Sequence, residues 1–236
     1  VIASPDVCCA FVALVVCVLL GELLPLNMRA VPGQWLVVSQ GNEDALRLFV
    51  KDAEVDHTYL PDSLQACPTT SCLLPICILV PLATVLTVGC VTRVKGDVRA
   101  FLVGWLWAWG ATELTTDTIK HYVGRLRPYF YEECGFNTTL ALCSQPDVLD
   151  ARKSFHSGHS SNSFVCLVFT SLFLLGKVAP VQQSRPKKGA CWLSKLNTAP
   201  LKTFLCLLPT ALAAWGATSR LVGHDHRPAD VLCGSA

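Results

Sequence analysis

The stretch LLPICILVPLATVLTVGCV, residues Leu73–Val91, contains no charged side chain and is long enough to cross a bilayer. A spanning helix needs about 20 consecutive apolar residues, with a range of about 17–25. Val7–Leu26 is a second run of this length and is nearly free of charge. Three shorter runs reach that length with their polar flanks: Phe101–Ala111, Phe164–Leu175 and Leu201–Ala217. The pattern predicts an all-α membrane protein that crosses the bilayer several times.

The composition excludes an ordinary soluble domain. Hydrophobic residues make up 52% of the 236 residues and charged residues only 15%, whereas soluble domains carry about 25% charged residues. A soluble helical core would show polar faces at the helical period, and the five runs show none. Val231–Cys233 resembles the start of another span that is cut off at Ala236. We therefore predict a bundle of six transmembrane helices, the last truncated, in a single domain over residues 1–236 that is incomplete at both ends.

The distribution of basic residues predicts which side of the membrane each loop faces. Lys and Arg concentrate in cytoplasmic loops. The turn at 93–99 and the connection at 177–202 are the most one-sidedly basic segments, and both lie on one side if the spans are as drawn. That side is predicted to be the cytoplasm. Segments 27–70, 120–163 and 219–230 then lie together on the extracellular or lumenal side.

Two features of the 120–163 segment agree with this orientation. Asn137-Thr138-Thr139 is an N-glycosylation sequon. Cys134 and Cys143 flank the same polar loop and can pair if that loop faces an oxidising compartment. The sequence therefore predicts a glycan on Asn137 and a disulfide between Cys134 and Cys143.

The segment SRLVGHDHRPAD, Ser219–Asp230, is dense in ionisable residues directly after a spanning run. Such residues are costly to place at a membrane edge, so they are functional candidates. If a helix starts near Asp225, His226 and Asp230 lie at i and i+4 on one face. The carboxylate can then accept the imidazole Nδ1–H and leave Nε2 as a nucleophile or base. The alternative is a polar loop that happens to hold two histidines.

Lys120 and Arg127 form a second candidate cluster on the same side of the membrane. They are two helical turns apart, so both point one way if the segment is helical, and Pro128 ends or redirects it. Two cations at a fixed separation suit an anion with several oxygens. The alternative is that the basic residues snorkel to the membrane interface, which we predict for Arg125.

Ser157-Gly158-His159 is the third cluster and precedes the fourth run. A Ser-Gly pair that opens a helix offers N–H groups and a hydroxyl to an anion, with His159 beside it. The alternative is an ordinary helix cap with a surface histidine. Together the clusters supply three cations for a phosphate: Lys120, Arg127 and Arg220. Because no carboxylate cluster in the sequence suits Mg²⁺, the pattern predicts metal-free phosphoryl transfer, but it does not tell the nucleophile from the acid.

These three clusters resemble the signature motifs of the type 2 phosphatidic acid phosphatase superfamily, which includes vanadium haloperoxidases and bacterial acid phosphatases. The pattern K-x6-R-P is met by Lys120, Arg127 and Pro128, S-G-H by Ser157, Gly158 and His159, and S-R-x5-H-x3-D by Ser219, Arg220, His226 and Asp230. His156 departs from the broad pattern, which has Pro there. The layout of the hydrophobic segments is similar to the lipid phosphate phosphatase (phospholipid phosphatase) branch.

The resemblance implies a role for each motif residue. His226 is the nucleophile and forms a phosphohistidine, Asp230 orients it, and His159 protonates the leaving alcohol and then helps to activate water. The remaining residues hold the phosphate: Lys120, Arg127, Ser157, Gly158 and Arg220.

The resemblance also implies a function. The chain is expected to be a metal-independent, integral-membrane phosphatase without a cofactor. Its expected substrates are lipid phosphate monoesters such as phosphatidate, lysophosphatidate, sphingosine-1-phosphate and ceramide-1-phosphate. It is expected to be a glycoprotein of lipid signalling, with its site on the extracellular or lumenal face of the plasma membrane or an endomembrane, and with no nucleic-acid partner.

Two alternatives from other classes remain open at this point. The same cations would serve a non-catalytic binder or transporter of anionic lipids with the same fold. A metal site could instead be built from four histidines: His156, His159, His224 and His226. The sequence sets neither the preferred lipid nor the oligomeric state, and a homo-oligomer is open.

Overall fold

The computed structural model describes residues 4–38, 46–59, 70–92, 95–140, 142–145, 148–183 and 199–236. Within these residues the chain forms seven α-helices: α1 Pro5–Glu22, α2 Thr70–Thr92, α3 Lys95–Val123, α4 Phe130–Glu133, α5 Gly158–Gln183, α6 Ala199–Val222 and α7 Pro228–Gly234. Two small antiparallel hairpins lie between them: β1 Gln34–Val38 with β2 Leu46–Val50, and β3 Phe136–Asn137 with β4 Leu142–Cys143. The prediction of an all-α architecture is confirmed, because strands contribute only these short ribbons.

Four helices in the described ranges are long and apolar enough to cross a membrane: Pro5–Glu22, Cys72–Thr92, Gly158–Val178 and Pro200–Val222. The predicted multi-pass membrane bundle is thereby confirmed. The predicted run at 101–111 lies inside α3, which has 29 residues and is roughly 43 Å long, but α3 carries charged residues towards both ends. The seven residues of α7 begin where the sixth span was predicted. The count of six spans therefore stays a prediction.

Apolar side chains point outwards along the spanning helices. Exposed examples come from α1, α2 and α6: Phe11, Leu19, Leu79, Phe204 and Leu208. Soluble monomers rarely expose contiguous apolar surface of this extent, whereas lipid tails solvate it. This outward face is what distinguishes the bundle from a soluble helical domain.

The core of the bundle is built around α3, which packs against α1, α2 and α5, while α5 packs against α6. Aromatic residues of α3 fill its centre. The Phe101 ring lies 4.8 Å from that of Phe173 in α5, and the Trp105 ring lies 5.4 Å from that of Trp109. The Trp109 indole N–H donates to Asn162 Oδ1 at 2.8 Å, so the polar group in this apolar core is satisfied.

A second, smaller core lies outside the spanning segments. It contains Val55, Leu126, Tyr129, Phe130, Tyr131, Cys134 and Ala151. In the structure Cys134 and Cys143 form a disulfide that closes the β3–β4 hairpin. This core supports the loops that follow α3 and precede α5, where the candidate site lies.

Ion pairs mark the opposite end of the bundle. Lys177 of α5 lies 2.6 Å from Asp97 at the start of α3, and Arg99 pairs with Asp6 of α1. The basic connection between α5 and α6 falls largely on residues 184–198, outside the described residues, as do 39–45 and 60–69 of the first polar segment.

Candidate functional site

The three sequence motifs meet at one end of the bundle. Ser154 N–H donates to Arg125 O at 2.9 Å, which joins the loop after α3 to the turn before α5. Ser157 N–H donates to Asp230 O at 3.0 Å, which joins that turn to α7. Residues separated by about a hundred positions are thus brought together in one polar cluster beside the spanning helices.

His226 and Asp230 lie at the start of α7. Arg227 is the residue before the helix, and its N–H donates to Asp230 Oδ2 at 3.1 Å, an arrangement that caps the first turn. His226 Nδ1 lies 3.9 Å from the same oxygen, which is beyond hydrogen-bond distance. This nitrogen is buried and has no hydrogen-bond partner among the described residues. The imidazole therefore faces its carboxylate but is not yet bonded to it.

The Asp230 carboxylate is anchored by other groups. It is fully buried, Arg125 Nη1 donates to Oδ1 at 2.9 Å, and the Ser154 hydroxyl donates to Oδ2 at 2.7 Å. The prediction that Arg125 snorkels to the interface is therefore wrong, because its guanidinium turns inwards to a buried carboxylate. No local pattern in the sequence indicates this pair, whose members are 105 residues apart.

Asp225 contacts two of the arginines that the sequence predicts to bind phosphate. Its Oδ2 accepts from Arg220 Nη1 at 3.1 Å, and its Oδ1 lies 3.8 Å from Arg127 Nη1. Arg220 is 1% exposed and also donates to the Ser219 hydroxyl from Nε and Nη2. Arg127 is fixed on its other side by Asp150 at 3.0 Å. Sequence reasoning gave Asp225 no role, although it is the neighbour of His226.

Lys120 lies against the N-terminus of α5. A Cβ atom placed on Gly158 would come within 2.7 Å of Lys120 Nζ, so only glycine admits the ammonium group at this distance. Ser157 is fully buried, and its hydroxyl accepts from Ser160 N–H at 3.4 Å. Asp117, which is buried, lies 3.8 Å from Lys120 Nζ. The ammonium group therefore has both a carboxylate and the N-terminus of α5 as neighbours.

Burial and nearby charges favour the neutral form of His226. Burial lowers the pKa of His226 well below its usual value, and the charges of Arg127 and Lys120 lower it further. His159, in the first turn of α5, has a buried Nε2 that finds no hydrogen-bond partner in the described part of the chain. The site thus contains a buried imidazole with an unpaired Nδ1, close to Arg127, Lys120 and the half-buried His159.

The four-histidine metal site is not supported by this geometry. Among the described residues, no three His, Cys, Asp or Glu side chains are grouped so as to hold a metal ion. The His224 ring lies 5.0 Å from that of His57, and its Nδ1 lies 3.0 Å from Thr58 O. His224 therefore contacts the segment before α2 and does not join the other three histidines.

The fold and the site together define a class of protein: a multi-pass membrane protein in which basic side chains and histidines cluster at one end of the helix bundle. Residues 100–236 match the model of the PAP2 superfamily. This match covers more than half of the chain, and the chain belongs to that superfamily, so the resemblance of the three motifs is confirmed.

Known relatives are named as lipid phosphatases. Phospholipid phosphatase 1 of Rattus norvegicus is 27% identical over 248 residues, which cover 93% of this chain and 77% of the relative. Lipid phosphate phosphatase 2 of Arabidopsis thaliana is 30% identical over 170 residues, covering 68% of this chain and 54% of the relative. Diacylglycerol pyrophosphate phosphatase 1 of Saccharomyces cerevisiae is 26% identical over 206 residues, covering 80% and 65%. The chain spans less than two thirds of the length of the Arabidopsis and Saccharomyces relatives. No solved structure gives a significant match.

Proposed function

We propose that the chain is a metal-independent membrane phosphatase that hydrolyses lipid phosphate monoesters through a phosphohistidine on His226. The observation that carries the proposal is the buried His226 imidazole. Its Nδ1 has no hydrogen-bond partner among the described residues, and burial and the charges of Arg127 and Lys120 lower its pKa. A neutral imidazole is a nucleophile, and surrounding cations stabilise the charge that develops on a transferring phosphoryl group. The names of the relatives support a lipid phosphate as the substrate.

In the proposed mechanism the phosphate binds between the cations. Lys120, Arg127 and Arg220 contact its oxygens, and the Ser157 hydroxyl and Gly158 N–H donate from the start of α5. The bound dianion offsets the positive charge around His159 and so favours its protonated form. Binding of the phosphate therefore promotes protonation of His159, the general acid of the reaction.

The reaction then proceeds in two displacements. His226 Nε2 attacks phosphorus while the bond to the lipid oxygen breaks, and that oxygen takes a proton from His159. The positive charge on the imidazole is stabilised by Asp230, whose Oδ2 receives Nδ1–H once the 3.9 Å gap closes. In the second step water attacks the phosphohistidine, gives its proton to His159, and releases phosphate and neutral His226.

The location of the site suggests its substrates and its orientation. It lies at the ends of α3, α5 and α6, where lipid headgroups meet water, which fits phosphatidate, lysophosphatidate, sphingosine-1-phosphate and ceramide-1-phosphate. Asn137 is exposed in the hairpin on this same end. We place this end on the extracellular or lumenal side, with a glycan on Asn137, in the plasma membrane or an endomembrane.

The test is phosphate release from phosphatidate in detergent micelles containing EDTA. Wild-type protein should release phosphate, His226→Ala should not, and His57→Ala should serve as the matched control, because His57 is exposed and outside the site. With radiolabelled phosphate ester, wild-type protein quenched during turnover should carry a label that is stable in alkali and lost in acid. Lipid binding without phosphate release by the wild type would contradict the proposal and favour a non-catalytic binder.

A further inference from the structure

The last turn of α3 carries Lys120 and is capped from outside the helix. The final carbonyl groups of a helix have no partner within it and need one elsewhere. Three consecutive carbonyls here are satisfied by the segment that follows α1. Asn27 N–H donates to His121 O at 2.8 Å, Asn27 Nδ2 donates to Tyr122 O at 3.1 Å, and Arg29 Nε donates to Val123 O at 2.7 Å.

The residue after α3, Gly124, has a backbone conformation that permits this contact. Gly124 has φ +55°, which side chains with a Cβ rarely adopt, and a Cβ there would collide with Asn27 O. The buried His121 also contacts Leu24 O through Nδ1. The chain therefore leaves α3 by a turn that closes directly onto Asn27.

The same segment reaches the loop that supports Arg127. Arg152 is buried, and its Nη1 donates to Arg29 O at 2.7 Å. Its neighbour Ala151 accepts from Arg127 N–H at 2.8 Å. Asn27 and Arg29 are thus linked to the backbone on both sides of the phosphate-binding motif.

The end of α1 also contacts the carboxylate beside Lys120. A Cβ on Gly21 would lie 2.6 Å from Asp117 Oδ2, so α1 and this carboxylate are already in close packing. Asp117 in turn lies 3.8 Å from Lys120 Nζ. The position of the ammonium group therefore depends on α1 and the residues that follow it.

We propose that Asn27 and Arg29, together named the α3 cap, are positioning residues for Lys120 and Arg127. This inference rests on the proposed function. Both residues lie outside the part of the chain that matches the superfamily model, residues 100–236. Without the cap, the last turn of α3 would exchange its hydrogen bonds for water and open more often. Lys120 would then lose its close approach to Gly158, and a shift of about 1 Å in a catalytic arrangement can cost ~100-fold in rate.

The test compares Asn27→Ala, Arg29→Ala and the double variant in the full chain. The probe is inhibition of nitrophenyl phosphate hydrolysis by orthovanadate, which reports binding of an oxyanion by the cations. The double variant is expected to raise the vanadate inhibition constant by roughly tenfold, because two hydrogen bonds that fix the binding groups are lost. Arg29→Lys keeps a donor and should restore part of the loss. Met28→Ala is the control, since Met28 lies between the two and is exposed.

Three outcomes would count against the inference. An unchanged inhibition constant in the double variant, with only a lower midpoint of thermal unfolding, would reduce the α3 cap to a structural role and overturn it. An equal change in Met28→Ala would do the same. A wild-type protein that neither hydrolyses phosphate esters nor binds orthovanadate would overturn the proposed function itself and, with it, this inference.

Discussion

The role of Arg125 in holding the Asp230 carboxylate can be tested by Arg125→Ala. The substitution removes a donor at 2.9 Å from a carboxylate that is fully buried. Removing one partner of a fully buried ion pair lowers the free energy of unfolding by about 3–5 kcal/mol. The Arg125 side chain is 27% exposed, however, so water can replace it. The expected loss in the free energy of unfolding is then that of one charged hydrogen bond, about 2 kcal/mol. For a chain of this size that is roughly 4–8 °C in the midpoint of thermal unfolding.

The same substitution should affect the chemical step more than phosphate binding. Arg125 fixes Asp230, and Asp230 orients His226 in the proposed mechanism. A carboxylate held only by Ser154 and the Arg227 N–H can rotate away from His226 Nδ1, so kcat is expected to fall by about 10–100-fold. The inhibition constant for orthovanadate should change little, because Arg125 is not among the cations proposed to bind phosphate.

Lys153→Ala is the matched control for Arg125→Ala. Lys153 lies 3.2 Å from Glu22, whose side chain is 62% exposed, and such surface pairs are worth about 0–1 kcal/mol. An Arg125→Ala protein as stable and as active as Lys153→Ala would refute the reasoning. A vanadate inhibition constant that rises as much as kcat falls would instead place Arg125 in the phosphate-binding set.

Four further expectations follow from the same contacts. Gly158→Ala should displace Lys120 and raise the vanadate inhibition constant, whereas Gly176→Ala, where a Cβ meets nothing within 4 Å, should not. His159→Ala should lose roughly 10²–10⁴-fold on a lipid phosphate but keep much more of the burst on nitrophenyl phosphate, whose leaving group needs no proton; equal losses on both would contradict the assignment. Burial holds the pKa of His226 below its value in the unfolded chain. The contribution of this group to the free energy of unfolding should therefore be fully present above about pH 6.5 and be lost as the pH falls. If a His226→Asn variant showed the same pH dependence of stability, His226 would not be its cause. Asn137→Gln should abolish a glycosidase-induced shift in mobility, and a shift that persists would place the glycan elsewhere.

The features that were predicted from the sequence are those with a local signal. Apolar runs of spanning length and residues at fixed motif spacing can be read within a single segment, and both led to the correct class of fold and family. The extent of α3 was underestimated, because the run at 101–111 ends where polar residues begin. The helix continues through them to Val123 since its polar end is buried against α1 and α5, as the contact of Asp117 with Gly21 shows.

The partners that fix the motif residues had no such signal. Arg125 and Asp230 are 105 residues apart, and Asn27 and Tyr122 are 95 apart. Neither hydrophobic period nor spacing indicates which basic residue will meet which carboxylate across such distances. Asp225 illustrates the limit within a motif, because its role depends on where Arg127 is placed by a different loop.

The pairing of charges in the site explains how cations can be held close together before a substrate arrives. Arg220 is paired with Asp225, Arg127 with Asp150 and Arg125 with Asp230, at 2.9–3.1 Å, so their mutual repulsion is offset and their directions are fixed. Lys120 lies 3.8 Å from Asp117, and Arg127 lies 3.8 Å from Asp225. Both separations exceed hydrogen-bond distance. Lys120 can therefore turn to a phosphate, and Arg127 can donate to it from Nη1, without breaking a hydrogen bond to those carboxylates. The carboxylates weaken the field that attracts the anion, but they preorganise the groups that must stabilise it in the transition state.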